Sequence, residues 1–225
     1  MGDDMLRDSA IIKEKWLRYA KEKYWGDDLD VRYYVSHLLR QIEGKKILDV
    51  GCGPGILLST IPSSNSATGI DVSEESVAIA KKVAPNAELA RGTMLSLPFD
   101  NSSFDMVVAA HVLPGYDFEA PRTKDYLNKF ISEIHRVLKP GGRLIFTTPN
   151  GEHPCYRGKN KITYSKLIRL FEGKFDCMVH GYNPFPMPSR VLAHLPFIEQ
   201  TLWRLADFEF LKKRGRSFYV EARKL

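Results

Sequence analysis

The run Ile47-Leu48-Asp49-Val50-Gly51-Cys52-Gly53-Pro54-Gly55 constrains this chain more than any other segment. An apolar β-type stretch passes directly into three glycines and then into Ile56-Leu57-Leu58, which predicts a strand, a tight loop and a helix starting near Ile56. Glycines at such a junction let the backbone turn sharply and approach a ligand beneath a helix N-terminus, whose unpaired amides favour electronegative groups. Asp71 follows Gly51 by twenty residues, at the end of the next apolar run, Gly69-Ile70-Asp71. A carboxylate at that spacing can take ribose hydroxyls. The nicotinamide fingerprint G-x-G-x-x-G is not met, because the sixth position is Ile56 and the third glycine comes one residue early. Asp49 would also repel a pyrophosphate, whereas it suits an ammonium or sulfonium. A positively charged adenosyl ligand is therefore expected over a dinucleotide.

The rest of the chain alternates β-type and helical patterns. Strands are predicted over 46–50, 67–70, 87–90, 104–110 and 143–148, with helices over 73–84 and 124–138 between them. Ser73 has the character of an N-cap with Glu74 and Glu75 in the first turn, and Lys139-Pro140-Gly141-Gly142 stops the later helix. Strand and helix in repeated alternation argue for a parallel sheet covered on both faces. Two helices, 9–25 and 31–42, precede it, separated by Gly26-Asp27-Asp28. Beyond Pro149 the pattern gives a helix over 163–171, a strand over 175–182 and a last strand over 216–222.

The chain of 225 residues, 44% hydrophobic and 27% charged, has an ordinary globular composition and no repeat or low-complexity tract. Its N-terminal stretch is charged throughout, and no apolar run reaches the roughly 18 residues of a membrane span, so a cytoplasmic protein is expected. Cys52, Cys155 and Cys177 are odd in number and lack a C-x-x-C pair, which suggests neither disulfides nor a metal cage. The net charge of +6 is concentrated at the C-terminus: residues 212–224 hold six basic side chains against Glu221 alone, while the first 46 residues carry ten bases and nine acids. Those bases read either as the solvated face of an edge strand or as a track for a phosphate backbone.

Four ordered blocks give the chain a family resemblance. They are Leu48-Asp49-Val50-Gly51-Cys52-Gly53-Pro54-Gly55, Gly69-Ile70-Asp71, Leu97-Pro98-Phe99 through Ser103-Phe104-Asp105, and Glu133-Ile134-His135-Arg136-Val137-Leu138-Lys139-Pro140-Gly141-Gly142. Over about residues 44–150 the sequence resembles the class I S-adenosylmethionine-dependent methyltransferases, in the group similar to ubiquinone-type small-molecule enzymes. The resemblance implies an α/β fold: a doubly wound, seven-stranded, mainly parallel Rossmann-like sheet with its last strand antiparallel, N-terminal helices and a helical insertion before that strand. It implies a single methyltransferase domain over 1–225, with a helical cap over 1–43, a cofactor-binding core over 44–150 and a substrate-side half over 151–225. S-adenosylmethionine would be the cofactor and S-adenosylhomocysteine its product. Gly51, Gly53 and Gly55 would line the methionine portion, with Asp49 near its amino group. Asp71 would take the ribose hydroxyls and Val72 would pack against adenine. Thr93 stands where the family often has an acid for the adenine amino group, so Thr93 and Met94 would read the base through hydroxyl or backbone. Ala110, His111 and Leu113 would approach the reacting methyl.

Methyl transfer from a sulfonium is an in-line displacement that needs orientation and exclusion of water more than a catalytic triad. A thiol, phenol or alcohol acceptor would gain from a base, for which His111 is the first candidate and Tyr116 and His153 follow; His111 is also open to a cofactor-shelf reading, Tyr116 to loop packing, and His153 to a place away from the substrate. Pro154-Cys155 and Asn183-Pro184-Phe185 resemble signatures of pyrimidine-carbon and amino-group methyltransferases, but both lie outside the slot after the fourth strand. The connection 183–215 is rich in apolar residues, among them Leu192, Phe197, Trp203 and Phe208, and reads as buried packing, a substrate lid or a peripheral membrane contact. The expected acceptor is O, N or S of a small organic molecule, a hydrophobic one included. The alternatives are an RNA or protein methyltransferase and a non-catalytic S-adenosylmethionine-binding subunit.

Overall fold

The computed structural model describes residues 31–112, 126–153, 162–182 and 214–225. The expected helix over 9–25, Leu113, Tyr116, Cys155 and residues 183–213 of the insertion lie outside the described residues. Seven strands form one sheet in the order β3-β2-β1-β4-β5-β7-β6: β1 Lys46–Val50, β2 Ser66–Asp71, β3 Glu88–Arg91, β4 Phe104–Ala110, β5 Leu138–Pro149, β6 Phe175–Tyr182 and β7 Ser217–Lys224. β3, β2, β1, β4 and β5 run parallel, and β7 pairs antiparallel with both β5 and β6. The order in which strands are added reverses at β1, which has β2 on one side and β4 on the other. In open α/β sheets the ligand crevice lies at such a switch, outside the carboxyl ends of the strands.

Alternate strand residues serve two cores. Leu48, Val50, Val107, Ala109, Leu144 and Phe146 pack with Phe130, Ile131 and Ile134 of helix α3 (Tyr126–Val137) and Leu167 and Phe171 of α4 (Tyr164–Phe171). On the opposite face Ile47, Met106, Val108 and Ile145 meet Val35 and Leu39 of α1 (Val31–Leu39). Period-2 side chains buried on both faces are what a covered sheet requires. Helix α2 (Glu74–Val83) is capped as its sequence predicts, with Ser73 Oγ accepting from Ser76 N.

Three expectations are corrected. No α-helix follows the glycine loop: the segment makes only a 3₁₀ turn, Leu58–Thr60. Ser59 Oγ donates to Ile56 O and Thr60 Oγ1 to Leu57 O, both at 2.7 Å, and Ile61 is extended before Pro62. Hydroxyls that bond the local backbone and a following proline both disfavour continuation. β5 starts at Leu138 rather than Arg143, because Leu138 pairs with Phe104 and Arg143 with Met106, leaving 139–142 as a bulge with Gly141 at φ 70°. Finally, β7 is an interior strand, with β6 at the edge. Its basic residues are not simply a solvated edge face: Lys224 Nζ donates to His135 O and Leu138 O and so closes the end of α3.

Candidate functional site

The glycine loop is fastened to β2 by backbone bonds. Gly51 N and Cys52 N both donate to Ile70 O, at 2.8 and 3.1 Å. Asp71 continues the bracing with its side chain: Oδ2 accepts from Gly53 N at 2.8 Å and Oδ1 from Ser73 N at 2.9 Å. One carboxylate thus ties the loop after β1 to the start of α2. A carboxylate has about four lone-pair positions, so these two bonds leave acceptor capacity for hydroxyls.

Asp49 differs from Asp71 in every respect. It sits inside β1, paired with Gly69 and Val108, and is 2% exposed. Its Oδ2 is buried and meets no hydrogen-bond donor among the described residues. Burial, and secondarily the charge of Asp71, push its carboxyl from 3.8 up to about 7. A buried carboxylate oxygen without a donor is costly. The same burial, with Asp49 and Asp71 adding to it, pushes the Cys52 thiol far up, so Cys52 is no thiolate nucleophile.

The three glycines have different reasons to be glycine. All take positive φ: 71° at Gly51, 52° at Gly53 and 78° at Gly55. A Cβ on Gly51 would stand 2.3 Å from Val112 Cγ1, and one on Gly55 would stand 2.9 Å from Ala80 Cβ, so these two admit β4's exit and helix α2. A Cβ on Gly53 would meet nothing within 4 Å. Gly53 is therefore the glycine of this loop that leaves open space beside Asp71.

The remaining predicted residues that the structure describes lie at or just past the same carboxyl edge. Val72 is half-buried just past β2. Gly92 N donates to Asp71 O, which brings the end of β3 to the same edge; Thr93 Oγ1 is used locally, accepting from Leu95 N at 3.2 Å. Met94 packs on the core and its Sδ accepts from Tyr126 Oη. Ala110 closes β4, half-buried, and His111 follows with a left-handed backbone, φ 56°. Histidine is among the few non-glycine residues enriched there, and a residue held so marks local constraint. That turn sends Val112 onto Gly51. His153 lies in the turn after β5, its N–H donating to Asn150 O; burial and then Arg216 hold its imidazole below the usual histidine range.

Sequence reasoning missed several residues that build this edge. Asn150 is fully buried; its Nδ2 donates to Gly215 O at 2.7 Å, its Oδ1 accepts from Glu152 N, and its own N–H donates to Arg216 O. It locks the exit of β5 to the entry of β7. Thr147, also fully buried, and Ser217 flank the His111 ring. The polar run Thr147-Thr148-Pro149-Asn150 at the end of an apolar strand was the available signal. Arg136 joins the last two family blocks: it donates to Leu97 O, Phe99 O, Asn101 Oδ1 and both oxygens of Glu133, and Glu133 Oε2 accepts from Leu97 N. Those blocks carry the scaffold of the loop between β3 and β4. No group of three or more metal-ligating side chains occurs among the described residues, and no described helix is long and apolar enough to cross a membrane.

Comparison with known proteins bears on the family and the fold. The family description "Methyltransferase domain" matches residues 48–146. Phthiotriol/phenolphthiotriol dimycocerosates methyltransferase of Mycobacterium leprae is 30% identical over 203 residues, covering 86% of this chain and 71% of that protein. Demethylmenaquinone methyltransferase of Chlorobaculum tepidum is 33% identical over 153 residues, 65% of this chain and 60% of its own length. Among solved structures, a TehB-like S-adenosylmethionine-dependent methyltransferase from Corynebacterium glutamicum aligns with TM-score 0.63 at 17% identity, over 97% of this chain and 99% of that one. A geranyl diphosphate C-methyltransferase from Streptomyces coelicolor aligns with TM-score 0.59 at 17% identity, over 86% and 74%. These two share the fold.

Proposed function

The chain belongs to the S-adenosylmethionine-dependent methyltransferases, and from that premise we propose that it transfers the methyl group to oxygen, nitrogen or sulfur of a small, largely apolar organic acceptor. The observation that carries the cofactor half is Asp49: a buried carboxylate oxygen without a donor among the described residues, in β1 at the switch of strand order, on the strand that leads into the loop whose Gly53 has open space around it. The residues fit the group. The amino group of the methionine portion is the donor Asp49 Oδ2 lacks, and Asp71, already held by two amides, has acceptor capacity for the two ribose hydroxyls. Val72 follows β2 and Thr93 and Met94 follow β3, where the adenine would lie, and Ala110 at the end of β4 and His111 just after it would face the methyl side. When bound, S-adenosylmethionine would supply a methyl group on a sulfonium, whose carbon–sulfur bond breaks as the acceptor atom bonds to the methyl carbon in line, leaving S-adenosylhomocysteine.

The protein's part is then binding and orientation. Gly51 and Gly55 shape the loop, Gly53 admits the ligand to the backbone, and Asp49 and Asp71 place negative charge against a cationic nucleoside. For the apolar character of the acceptor, support comes from relatives named for a demethylmenaquinone and for phthiotriol dimycocerosates. The apolar composition of 183–215 agrees with an acceptor of that kind. The chain spans 71% and 60% of those two relatives, so the acceptor is this chain's own question.

Calorimetric titration of the intact protein with S-adenosylmethionine and with S-adenosylhomocysteine tests the first half, and the expected result is saturable binding of both. Absence of binding overturns it. Incubation with methyl-labelled cofactor and a lipid extract tests the second half. Label in the organic phase is expected, and label confined to RNA or protein overturns the small-molecule reading.

A further inference from the structure

The His111 ring is gripped at both nitrogens. Thr147 Oγ1 lies 3.1 Å from Nδ1 and Ser217 Oγ lies 3.4 Å from Nε2, joining β4, β5 and β7 at the carboxyl edge of the sheet. Thr147 is fully buried, and its hydroxyl has two contacts: Nδ1 and the backbone N–H of His111, at 3.0 Å. The backbone N–H can only donate, so it occupies a lone pair of Oγ1. The hydroxyl proton of a fully buried threonine needs an acceptor, and of its two contacts only Nδ1 can serve. With Nδ1 accepting, the proton of the neutral imidazole sits on Nε2 and points at Ser217 Oγ. Ser217, 6% exposed at the first position of β7, accepts from Nε2 and keeps its own hydroxyl proton to donate onward.

We propose that Thr147 fixes His111 as the neutral Nε2–H imidazole, so that His111 and Ser217 form a hydrogen-bond donor chain that orients an oxygen of the bound acceptor, rather than a base that takes its proton. Thr147 is the positioning residue of this chain. The ligand chemistry it fits is a carbonyl, carboxylate or phenolate oxygen. The consequence for transfer rests on the methyltransferase reading, whereas the tautomer does not.

Imidazole nitrogen NMR of the intact protein at about pH 8.5, where an ordinary histidine is neutral, tests the assignment without any ligand. The expected spectrum shows His111 with a protonated Nε2 and an unprotonated, hydrogen-bonded Nδ1. Thr147→Val shifts the Nδ1 resonance toward that of an imidazole nitrogen without a hydrogen bond, and Thr147→Ser returns it. A proton on Nδ1 in the wild type, or an Nδ1 resonance unmoved by Thr147→Val, overturns the proposal. In the labelled-cofactor assay, His111→Gln keeps an amide donor but has no basicity. Turnover should fall, because the orienting ring is lost, but by less than a lost general base costs, about 10²–10⁴-fold. A fall of that size in a folded variant overturns it. If the wild type transfers no label at all, the methyltransferase reading fails and the NMR result still decides this one.

Discussion

Replacing Asp49 with Asn should make the ligand-free protein more stable as pH rises. The carboxyl titrates at its ordinary 3.8 in the unfolded chain and at about 7 when folded, raised first by burial and then by Asp71. Below pH 4 the group is protonated in both states and contributes no difference. Between pH 4 and 7 the unfolded chain loses the proton while the folded one keeps it, so stability falls with pH across that window and levels off above it. A shift of about three units is worth about 4 kcal/mol, and the group is too deeply buried for solvent screening to reduce it much. Asn is neutral at every pH, so the variant lacks this fall, although its amide protons need acceptors and cost about 1–3 kcal/mol of constant offset. Urea unfolding of both proteins from pH 4.5 to 8.5 measures the difference. The stability of Asp49→Asn relative to wild type should climb by about 3–4 kcal/mol and flatten near pH 8. A difference that stays constant with pH would refute the claim that a carboxylate is held there without a donor.

Four further outcomes follow from the same geometry. S-adenosylhomocysteine binding should release a proton at pH 6, and less of one as pH rises through about 7, as the ligand's ammonium ionises Asp49; calorimetry in buffers of different ionisation enthalpy reads this, and no buffer dependence at pH 6 counts against the contact. Gly53→Ala should fold with a loss of about 1 kcal/mol for its positive φ, yet bind S-adenosylhomocysteine at least tenfold more weakly, whereas Gly51→Ala, whose Cβ would collide with Val112, should fail to fold stably; thermal melts and titrations separate the two. Asp71→Ala should weaken adenosyl binding by about 1–3 kcal/mol, while Asp71→Asn, which can still accept from Gly53 N, should lose less; equal affinity in all three proteins would remove Asp71 from the site. Arg136→Ala should cost about 2–3 kcal/mol, since its side chain, 30% exposed, makes several charge-assisted bonds, and unfolding midpoints unchanged within 0.5 kcal/mol would contradict this.

What the sequence made legible is what local chemistry decides. The runs 46–50, 104–110 and 175–182 form strands with those same bounds because each is apolar on at least one period-2 face, and Ser73 caps its helix through its own hydroxyl as expected, while Thr163, expected inside its helix, caps it instead. The segment after the glycine loop was misread for a reason equally local. Its apolar residues suit a helix, but Ser59 and Thr60 spend their hydroxyls on the preceding carbonyls, and Pro62 closes the segment. The bulge at 139–142 and the interior place of β7 depend on partners distant in sequence, which periodicity does not report.

The same division runs through the site. Gly51, Gly53 and Gly55 look alike on the page, and all three were expected to line the ligand. Their surroundings separate them: Val112 from the exit of β4 crowds the first, Ala80 from α2 crowds the third, and only the second faces open space. Each crowding residue is brought in by an element that begins well beyond the loop, so no local pattern could assign the roles. Asp49 and Asp71 divide likewise. One carboxylate takes a backbone amide on each oxygen and holds the loop; the other is buried with an oxygen left wanting. A fold keeps an unsatisfied buried carboxylate at a cost of several kcal/mol only where something else recovers it. A cationic ligand at that oxygen recovers it, which makes the instability of the empty site and the affinity of the filled one two faces of one electrostatic arrangement.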